Sequence, residues 1–437
     1  WDGNVSDWAN DSVTARFGEE GDQERYVSFV KHCTSKPVVG VGRFTSPDAM
    51  VAQIRRGVLD MIGAARPSIA DPFLPRKIEQ GRIEDIRECI GCNICVAGDW
   101  TQSPIRCTQN PTMGEEWRRN WHPETMNPRG ASKTVLVVGA GPAGLEAAMS
   151  LGRRGYEVTL ADRDQGGGRA VAEARLPGLA SYRRVADYRL GQIGRCADVR
   201  FYPGSAMDAN SIREFGADHV AIATGAQWRR DGVGRATWQP VAGCDTHPAL
   251  YTSDDITAGR SPDEGPVLVY DDDHYYLGGV IAELLAASGL AVTLVTPGPE
   301  VSHWTQNTME QHRIEQRLLE MGVTLAAKQT LAAVSPGHVQ TRCNATGQVV
   351  HRDAVSLVLV TSRVPDNALY FALAGEDESR LADLPFSLMR IGDCMAPSTI
   401  AQAVYDGHRF AREVDERPDP DVVPFQREQS LIHPLGG

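Results

Sequence analysis

The 437-residue sequence has no apolar run that approaches the ~20 residues needed to cross a bilayer, and no signal peptide is visible in it. We therefore expect no membrane association. Positive charge is also in short supply, because 44 Lys and Arg stand against 56 Asp and Glu, for a net charge of −12. This balance argues against nucleic acid as a partner and favours a soluble protein partner.

The sequence also lacks a paired cysteine framework and an initial methionine. Its nine cysteines show no disulfide pattern, which favours a reducing compartment, and we expect a cytoplasmic protein. The chain begins with Trp1, and the opening WDGNVSDW is typical of the end of a buried strand. We expect the sequence to be a fragment or a processed product.

Four of the cysteines form the most informative motif. Cys89, Cys92, Cys95 and Cys107 have the spacing C-x2-C-x2-C-x11-C, with three thiols on one tight loop and a fourth on its return. This spacing favours a cubane 4Fe-4S cluster. A zinc site usually has two C-x2-C pairs, and cysteines this close rarely form disulfides with each other. Gly91 is expected to let the loop fold closely around the inorganic core.

A glycine fingerprint follows an apolar strand that begins at Thr134. Gly139, Gly141 and Gly144 form G-x-G-x-x-G at the start of a helix, and Asp162 ends the next strand. In this pattern the glycines permit a tight turn, the approach of a diphosphate and close helix packing, and the carboxylate contacts a ribose. The site is predicted to bind FAD, ADP or NAD, or else to be a purely structural turn.

A second strand-turn-helix unit runs from Pro266 to Thr296 but has no glycine turn. Its turn consists of Asp271, Asp272, Asp273 and His274, followed by tyrosines. Carboxylates repel a diphosphate, and bulky side chains block the approach that glycine permits. We therefore expect a structural Rossmann-like scaffold without a working NAD(P)H site.

Residues before the cysteine motif alternate between short strands and helices, as in a (β/α)8 barrel. Gly42 with Arg43, and Gly63 with Arg66, lie at the ends of two successive predicted strands. The last two loops of such barrels often hold a phosphate, so these residues are candidate FMN ligands. The alternative is two arginines in ordinary surface loops.

Trp8, Asp11 and Trp100 are weaker candidates for the active site. Tryptophan rings attract alkylammonium ions through cation–π contact, and a carboxylate can orient a catalytic side chain. Packing tryptophans and a capping aspartate are the alternative interpretation. By themselves these residues establish nothing.

The predicted fold is α/β and contains four regions. The barrel segment is predicted over 1–85 and the cluster segment over 86–130. A dinucleotide domain is predicted over 131–260 and 383–437, with Asp393 contacting the cofactor from a late strand-turn segment. An inserted Rossmann-like domain is predicted over 261–382.

Four stretches together resemble the trimethylamine dehydrogenase family, namely RPSIADPFLP, CIGCNIC, CTQNPTMGEEWRRNWHPE and VLVVGAGPAGLEAA. The family includes dimethylamine and histamine dehydrogenases and dimethylglycine and N-methylproline demethylases. The resemblance covers essentially the whole chain. It implies an FMN barrel, of which only the C-terminal part is present, a 4Fe-4S cluster, and two domains of glutathione-reductase type that hold ADP or FAD.

The resemblance also implies roles for particular residues. The four cysteines of the motif would bind the cluster, and Arg66 would lie beside FMN. Trp8 and Trp100 would form walls of an aromatic bowl around the substrate ammonium, and Asp11 would be the acid of a Tyr–His–Asp group. The loop that carries Trp100 differs in length from the family pattern. We also expect a homo-oligomer.

The expected function is oxidative N-demethylation of a secondary or tertiary amine, either a methylamine or an N-methyl amino acid. Electrons would pass from FMN to the cluster and then to an electron-transferring flavoprotein. One alternative is an NAD(P)H-dependent enoate or 2,4-dienoyl-CoA reductase, which requires an intact second glycine turn. The other is an electron-carrier module or one subunit of a split enzyme.

Overall fold

The computed structural model describes residues 1–5 and 7–415. The last part of the predicted dinucleotide domain, 416–437, lies outside the described residues. Within the part of the chain that is described, no helix combines the length and apolar character that a membrane span requires.

The N-terminal region contains a small parallel sheet. Its order is β1-β2-β3, and Val39 pairs with Asp2 on one side and with Met61 on the other. Strand, helix and parallel strand alternate here as in a (β/α)8 barrel. The elements are β1 (Asp2–Gly3), α1 (Trp8–Asp11), α2 (Glu24–Val27), α3 (Val30–Cys33), β2 (Val39–Gly40), α4 (Pro47–Arg55), β3 (Met61–Ile62), α5 (Ala65–Ala70) and α6 (Leu74–Glu79).

Local sequence accounts for the start of α4. Ser46 caps this helix by accepting a hydrogen bond from Ala49 N at 3.3 Å, and a proline occupies its first turn. A 3₁₀ turn, Ile83–Asp85, follows α6. The cluster segment then forms α7 (Ile94–Thr101).

The next unit is a five-stranded parallel sheet with the order β18-β7-β4-β5-β6. We call this sheet and the elements that pack on it, within 134–228 and 363–413, the dinucleotide unit. Its central strand β4 is almost entirely buried, and α8 packs against the sheet with most of its residues inaccessible. Its elements before the insertion are β4 (Thr134–Val138), α8 (Pro142–Arg154), β5 (Glu157–Ala161), α9 (Gly168–Glu173), α10 (Arg184–Ile193), β6 (Val199–Tyr202), α11 (Ala209–Phe215), β7 (His219–Ile222) and β8 (Ala226–Trp228).

A second five-stranded parallel sheet, with the order β12-β11-β10-β16-β9, forms what we call the inserted unit, residues 250–360. An antiparallel sheet, β13-β14-β15, is attached to it. The elements are β9 (Leu250–Thr252), α12 (Ser253–Thr257), β10 (Val267–Asp271), α13 (Tyr276–Ala287), β11 (Val292–Val295), α14 (Gln311–Glu320), β12 (Thr324–Ala326), β13 (Gln329–Ser335), β14 (His338–Cys343), β15 (Val349–Asp353) and β16 (Ser356–Val360).

The chain then returns to the dinucleotide unit. Strand β17 pairs with β8 in an antiparallel ribbon, and β18 extends the dinucleotide sheet beside β7. The returning elements are β17 (Arg363–Pro365), α15 (Ala368–Ala374), β18 (Ser387–Arg390) and α16 (Ile400–Glu413).

Both predicted boundaries of the insertion need correction. The predicted start at 261 is too late, because β9 pairs with β16 and Ile256 of α12 packs in the apolar core of the inserted unit. The predicted end at 382 is also too late. Helix α15 buries Tyr370 and Leu373 against Leu136 of the dinucleotide sheet. In both cases burial of apolar side chains, rather than chain position, decides to which unit a segment belongs.

A buried arginine of the dinucleotide unit joins that unit to the cluster segment. Arg189 Nε donates to Glu146 Oε2 at 2.7 Å, and both side chains are at most 1% exposed. Arg189 also donates to both oxygens of Gln109, next to a cluster cysteine. Burial opposes ionisation of Glu146, but Arg189 and a hydrogen bond from His408 hold its pKa well below the usual range.

We predict that Arg189→Ala destabilises the protein by about 3–5 kcal/mol, because Glu146 then remains buried with its main partner removed. Urea unfolding is the measurement. Arg183→Ala is the matched control, since Arg183 forms an exposed pair with Asp187 and its loss should cost about 0–1 kcal/mol. Equal losses in the two variants would contradict the prediction.

Candidate functional site

The four cysteines of the motif surround the start of α7. Cys89 and Cys92 precede the helix, Cys95 lies in its first turn, and Cys107 lies on the return segment. None of the four forms a disulfide bond.

Several donors face these sulfurs. Gly91 N donates to Cys89 Sγ at 3.3 Å, and Gln109 N donates to Cys107 Sγ at 3.4 Å. Cys92 Sγ lies 3.2 Å from the Thr108 hydroxyl oxygen. Hydrogen bonds of this kind stabilise thiolate ligands and tune the potential of an iron–sulfur cluster.

Burial opposes ionisation of three of these thiols, those of Cys92, Cys95 and Cys107. Burial and the neighbouring thiolates raise the pKa of Cys95 to about 12 and that of Cys107 to about 11. The pKa of Cys92 also rises, mainly through burial. A bound metal centre reverses this preference, because coordination deprotonates a thiol outright.

The donor set therefore fits a 4Fe-4S cluster in its chemistry. It consists of four buried or half-buried thiols with backbone N–H groups directed at them. No group of three or more His, Cys, Asp or Glu side chains within residues 1–5 and 7–415 is arranged to hold a single metal ion. In a cubane each cysteine binds a different iron, so the four sulfurs need not converge on one point.

Gly91 also has a structural reason that the sequence does not show. Its φ of +64° is in the left-handed region, which favours glycine. In addition, a Cβ at this position would lie 2.8 Å from Cβ of Ala15 and 3.2 Å from Arg43 Nη1. The glycine therefore allows the loop to pack against the barrel segment. Ala15 N donates to Gly91 O at 2.9 Å and fixes this contact.

The glycine turn after β4 has three distinct geometries. Gly139 has a φ of +107°, and a Cβ there would lie 2.3 Å from Ala223 O. A Cβ on Gly144 would lie 1.8 Å from Gly139 O, so only glycine permits this helix packing. A Cβ on Gly141 would meet no atom within 4 Å and would point into open space. The turn thus leaves room for a ligand at its second glycine only.

Asp162 supports this turn as well as lining the cavity beside it. Its Oδ2 accepts from Ala140 N at 2.5 Å and its Oδ1 accepts from Asp164 N at 2.7 Å. A carboxylate has about four lone-pair positions, so both oxygens can still accept from ribose hydroxyls.

A cavity of about 1000 Å³ extends from the glycine turn to residues 89–110. These residues contain the cysteine motif, and we call them the cluster loop. Gly141 and Asp162 line one part of it, and Cys92 and Thr108 line another. Asp393 also lines it, accepts from Ser398 N at 2.9 Å and forms an ion pair with Arg363. A ligand held at the glycine turn would thus share one cavity with a predicted cluster ligand.

Sequence reasoning missed the cationic wall of this cavity. The Trp228 ring has two guanidinium groups near it, that of Arg169 at 5.6 Å and that of Arg363 at 5.5 Å from the ring centroid. All three residues line the cavity. The sequence did contain a signal, since three consecutive glycines, 166–168, precede Arg169. In the structure all three glycines have a positive φ.

Aromatic side chains fill the turn of the inserted unit. The ring centroid of Tyr275 lies 4.4 Å from that of Tyr276 and 4.7 Å from that of Trp304. Asp271 and Asp272 are completely buried, and burial raises the pKa of Asp271 to about 7. These side chains occupy the turn where a glycine fingerprint would leave room for a diphosphate.

The candidate FMN arginines lie beside the cluster loop. Arg66 Nη1 donates to Asn93 Oδ1 at 2.6 Å and to Val13 O at 2.9 Å. Burial lowers the pKa of Arg43, and its Nε is a buried donor without a partner among the described atoms. A buried guanidinium Nε without a partner, on the loop that follows β2, fits a phosphate ligand.

Gly42 and Gly63 are needed for close packing near these arginines. A Cβ on Gly42 would lie 3.2 Å from Cα of Gly21, and a Cβ on Gly63 would lie 2.7 Å from Cγ1 of Val41. Both glycines therefore keep the loops close to neighbouring backbone, whether or not their own amides contact a ligand.

The structure brings Trp8 and Trp100 together. Their ring centroids are 5.9 Å apart at an interplanar angle of 55°, and the side chains are 53% and 56% exposed. Asp11 ends the helix that begins with Trp8, and it accepts a hydrogen bond from Ser12 Oγ at 2.6 Å. Two residues from distant sequence positions thus form adjacent aromatic walls with a carboxylate one helical turn away.

Two parts of the chain match known protein families. Residues 1–85 match the NADH:flavin oxidoreductase / NADH oxidase family. Residues 133–375, more than half of the chain, match the pyridine nucleotide-disulphide oxidoreductase family. The chain belongs to the pyridine nucleotide-disulphide oxidoreductase family.

Individual relatives agree with the resemblance to amine dehydrogenases. Dimethylamine dehydrogenase from Hyphomicrobium sp. (strain x) is 36% identical over 98% of this chain and 62% of its own length. Histamine dehydrogenase from Rhizobium sp. 4-9 is 50% identical, with a TM-score of 0.93 over 99% of this chain and 63% of that chain. The 6-hydroxypseudooxynicotine amine oxidase from Pseudomonas geniculata N1 is 50% identical, with a TM-score of 0.92 over 95% of this chain and 62% of that chain.

These values confirm the predicted resemblance to the trimethylamine dehydrogenase family. The chain spans less than two thirds of the length of each of these relatives.

We predict that Gly141→Ala weakens nucleotide binding on the order of tenfold without loss of stability, because the new Cβ enters the space that a diphosphate needs. Nucleotide released by heat and quantified by chromatography, together with thermal unfolding, measures both effects. Gly144→Ala should instead lower the unfolding temperature. The prediction fails if Gly141→Ala retains as much nucleotide as the unsubstituted protein.

Proposed function

We propose that the full-length protein is a flavin-dependent amine dehydrogenase that oxidises the carbon–nitrogen bond of an ammonium substrate. The contact between Trp8 and Trp100 carries this proposal. It creates an aromatic pair of which one member, Trp100, lies on the same helix as Cys95 of the cysteine motif.

The two indole faces attract the substrate cation. Cation–π contact binds an ammonium without a carboxylate that would hold its charge more tightly. Asp11, one turn after Trp8, is the candidate acid that orients a further catalytic side chain from the part of the barrel that this sequence lacks. The bound ammonium must first lose its proton to a base, because the nitrogen lone pair is needed to form the iminium when hydride leaves carbon.

Three cofactor assignments and one acceptor accompany the proposal. The Gly42–Arg43 and Gly63–Arg66 loops would hold the FMN phosphate, and the cysteine motif would hold a 4Fe-4S cluster. FMN supplies two-electron oxidation of the amine, and the cluster supplies one-electron transfer to an acceptor, for which we propose an electron-transferring flavoprotein. The glycine turn would hold ADP or FAD.

The substrate class is an alkylamine. N-Demethylation of a secondary or tertiary amine and deamination of a primary amine are both oxidations of a C–N bond followed by hydrolysis of an iminium. The 50% identity to histamine dehydrogenase and the 36% identity to dimethylamine dehydrogenase support testing both. A homo-oligomer in the cytoplasm remains part of the proposal.

The filled turn of the inserted unit argues against an NAD(P)H-dependent enoate or dienoyl-CoA reductase. Tyr275, Tyr276 and Trp304 are in ring contact where a diphosphate would need space, and Asp271 and Asp272 add carboxylates. No comparable observation favours an electron-carrier module without amine chemistry.

The proposal predicts iron and acid-labile sulfide in the full-length protein purified without air, and rapid flavin bleaching by an amine. The panel should include histamine, dimethylamine, trimethylamine, dimethylglycine and N-methylproline, with a one-electron dye as acceptor. NADH and NADPH serve as the control reductants and should bleach the flavin slowly. Bleaching by NADPH but by no amine would support the reductase instead.

We further predict that Trp100→Ala raises KM for the amine roughly three- to tenfold, because one cation–π wall is lost. Steady-state kinetics with the preferred amine measures this, and the iron content should not change. Trp238→Ala is the matched control, since Trp238 is 83% exposed and lies outside the cysteine and barrel segments. An unchanged KM in Trp100→Ala would remove this residue from the amine site.

A further inference from the structure

The segment 7–16 carries two of the candidate amine-site residues, Trp8 and Asp11. It contains one short helix, α1, whose four residues are too few to be stable without tertiary contacts. Its position must therefore be set by the elements that contact it. Three contacts link this segment, directly or through one side chain, to the inserted unit.

The first contact fixes α1 itself. Arg313 Nη2, on α14 of the inserted unit, donates to Asn10 Oδ1 at 2.8 Å. The Asn10 side chain in turn donates to the carboxylate of Asp7. Asn10 lies between Trp8 and Asp11 in sequence, so this contact acts directly on the helix that presents them.

The second contact runs through Asn93 of the cluster loop. Asn93 is 1% exposed and has a φ of +55°, and its Nδ2 donates to Ser12 O at 2.5 Å and to Thr308 O of the inserted unit at 3.1 Å. Its Oδ1 accepts from Arg66. One carboxamide thus joins the residue after Asp11, the candidate flavin arginine and the inserted unit.

The third contact is a buried ion pair. Arg16 Nη2 donates to Glu283 Oε2 at 2.7 Å, and these side chains are 4% and 11% exposed. Glu283 lies on α13 and also accepts from Arg317 Nε of α14 at 3.2 Å. Burial of this pair fixes the end of the segment against the two helices that follow the glycine-free turn.

We propose that the inserted unit is a positioning device for the amine site, with Arg313, Glu283 and the Thr308 carbonyl as its contact points. It holds segment 7–16 so that Trp8 faces Trp100 and Asp11 is correctly oriented. This gives a role to a Rossmann-like unit whose turn does not suit a nucleotide. The catalytic part of this inference rests on the proposed amine dehydrogenase function, and the structural part does not.

The test uses the full-length holoenzyme and compares Arg313→Ala and Glu283→Gln with the unsubstituted protein. Hydrogen exchange measured by mass spectrometry should show about tenfold faster exchange in peptides covering 7–16, while peptides from the dinucleotide sheet stay unchanged. KM for the amine should rise about tenfold. The electron paramagnetic resonance spectrum of the cluster and the oxidation rate of dithionite-reduced enzyme should remain as in the unsubstituted protein.

Two further variants sharpen the result. Arg313→Lys keeps a donor and should recover most of the amine affinity. Gln316→Ala lies on the same helix, where Gln316 is exposed and donates to Glu320, and it should change neither exchange nor KM. Unchanged exchange at 7–16, or faster exchange throughout the chain, would overturn the positioning role. If no amine is oxidised by the unsubstituted enzyme, the proposed function fails, and the exchange data still decide the positioning role.

Discussion

The cluster loop is held from three directions by hydrogen bonds to almost completely buried polar side chains. Arg189 binds both oxygens of Gln109 from the dinucleotide unit, and Asn93 reaches Ser12 of the barrel segment and Thr308 of the inserted unit. Buried polar groups are costly unless every donor and acceptor is satisfied. The three units therefore cannot move independently without exposing or breaking these bonds. The relative positions of Arg66, Ser12 and the cysteine motif follow from these hydrogen bonds.

The two Rossmann-like units show how one scaffold is kept with and without a ligand turn. In the dinucleotide unit Gly139 and Gly144 meet backbone oxygens at distances that exclude any side chain, and Gly141 faces open space. In the inserted unit the equivalent turn carries buried carboxylates and aromatic rings. The parallel sheet persists in both, because its stability comes from strand pairing and apolar burial rather than from the turn. The inserted unit contacts the barrel segment through Arg313 and Glu283.

Sequence patterns predicted the elements that depend on local signals. The glycine fingerprint, the Ser46 cap of α4 and the cysteine spacing are each readable within a few residues, and the structure has a strand, turn or helix at each. The two predicted boundaries of the inserted unit, 261 and 382, were wrong. The apolar residues of β9 and α15 do not reveal which sheet they will cover. The reason given for Gly91 was also incomplete, because its contact with Ala15 spans 76 positions of sequence.

The sequence by itself determined the chemical groups that are available, namely four closely spaced thiols, one glycine turn and one turn that lacks glycine. Local spacing is enough for these, since each depends on residues within one loop. Only the tertiary structure decided that Trp8 faces Trp100, that Arg66 meets Asn93 and that the inserted unit holds segment 7–16. These contacts form when the units pack together to bury apolar surface. Local sequence patterns do not determine which side chains then become neighbours, because those side chains are far apart in the sequence.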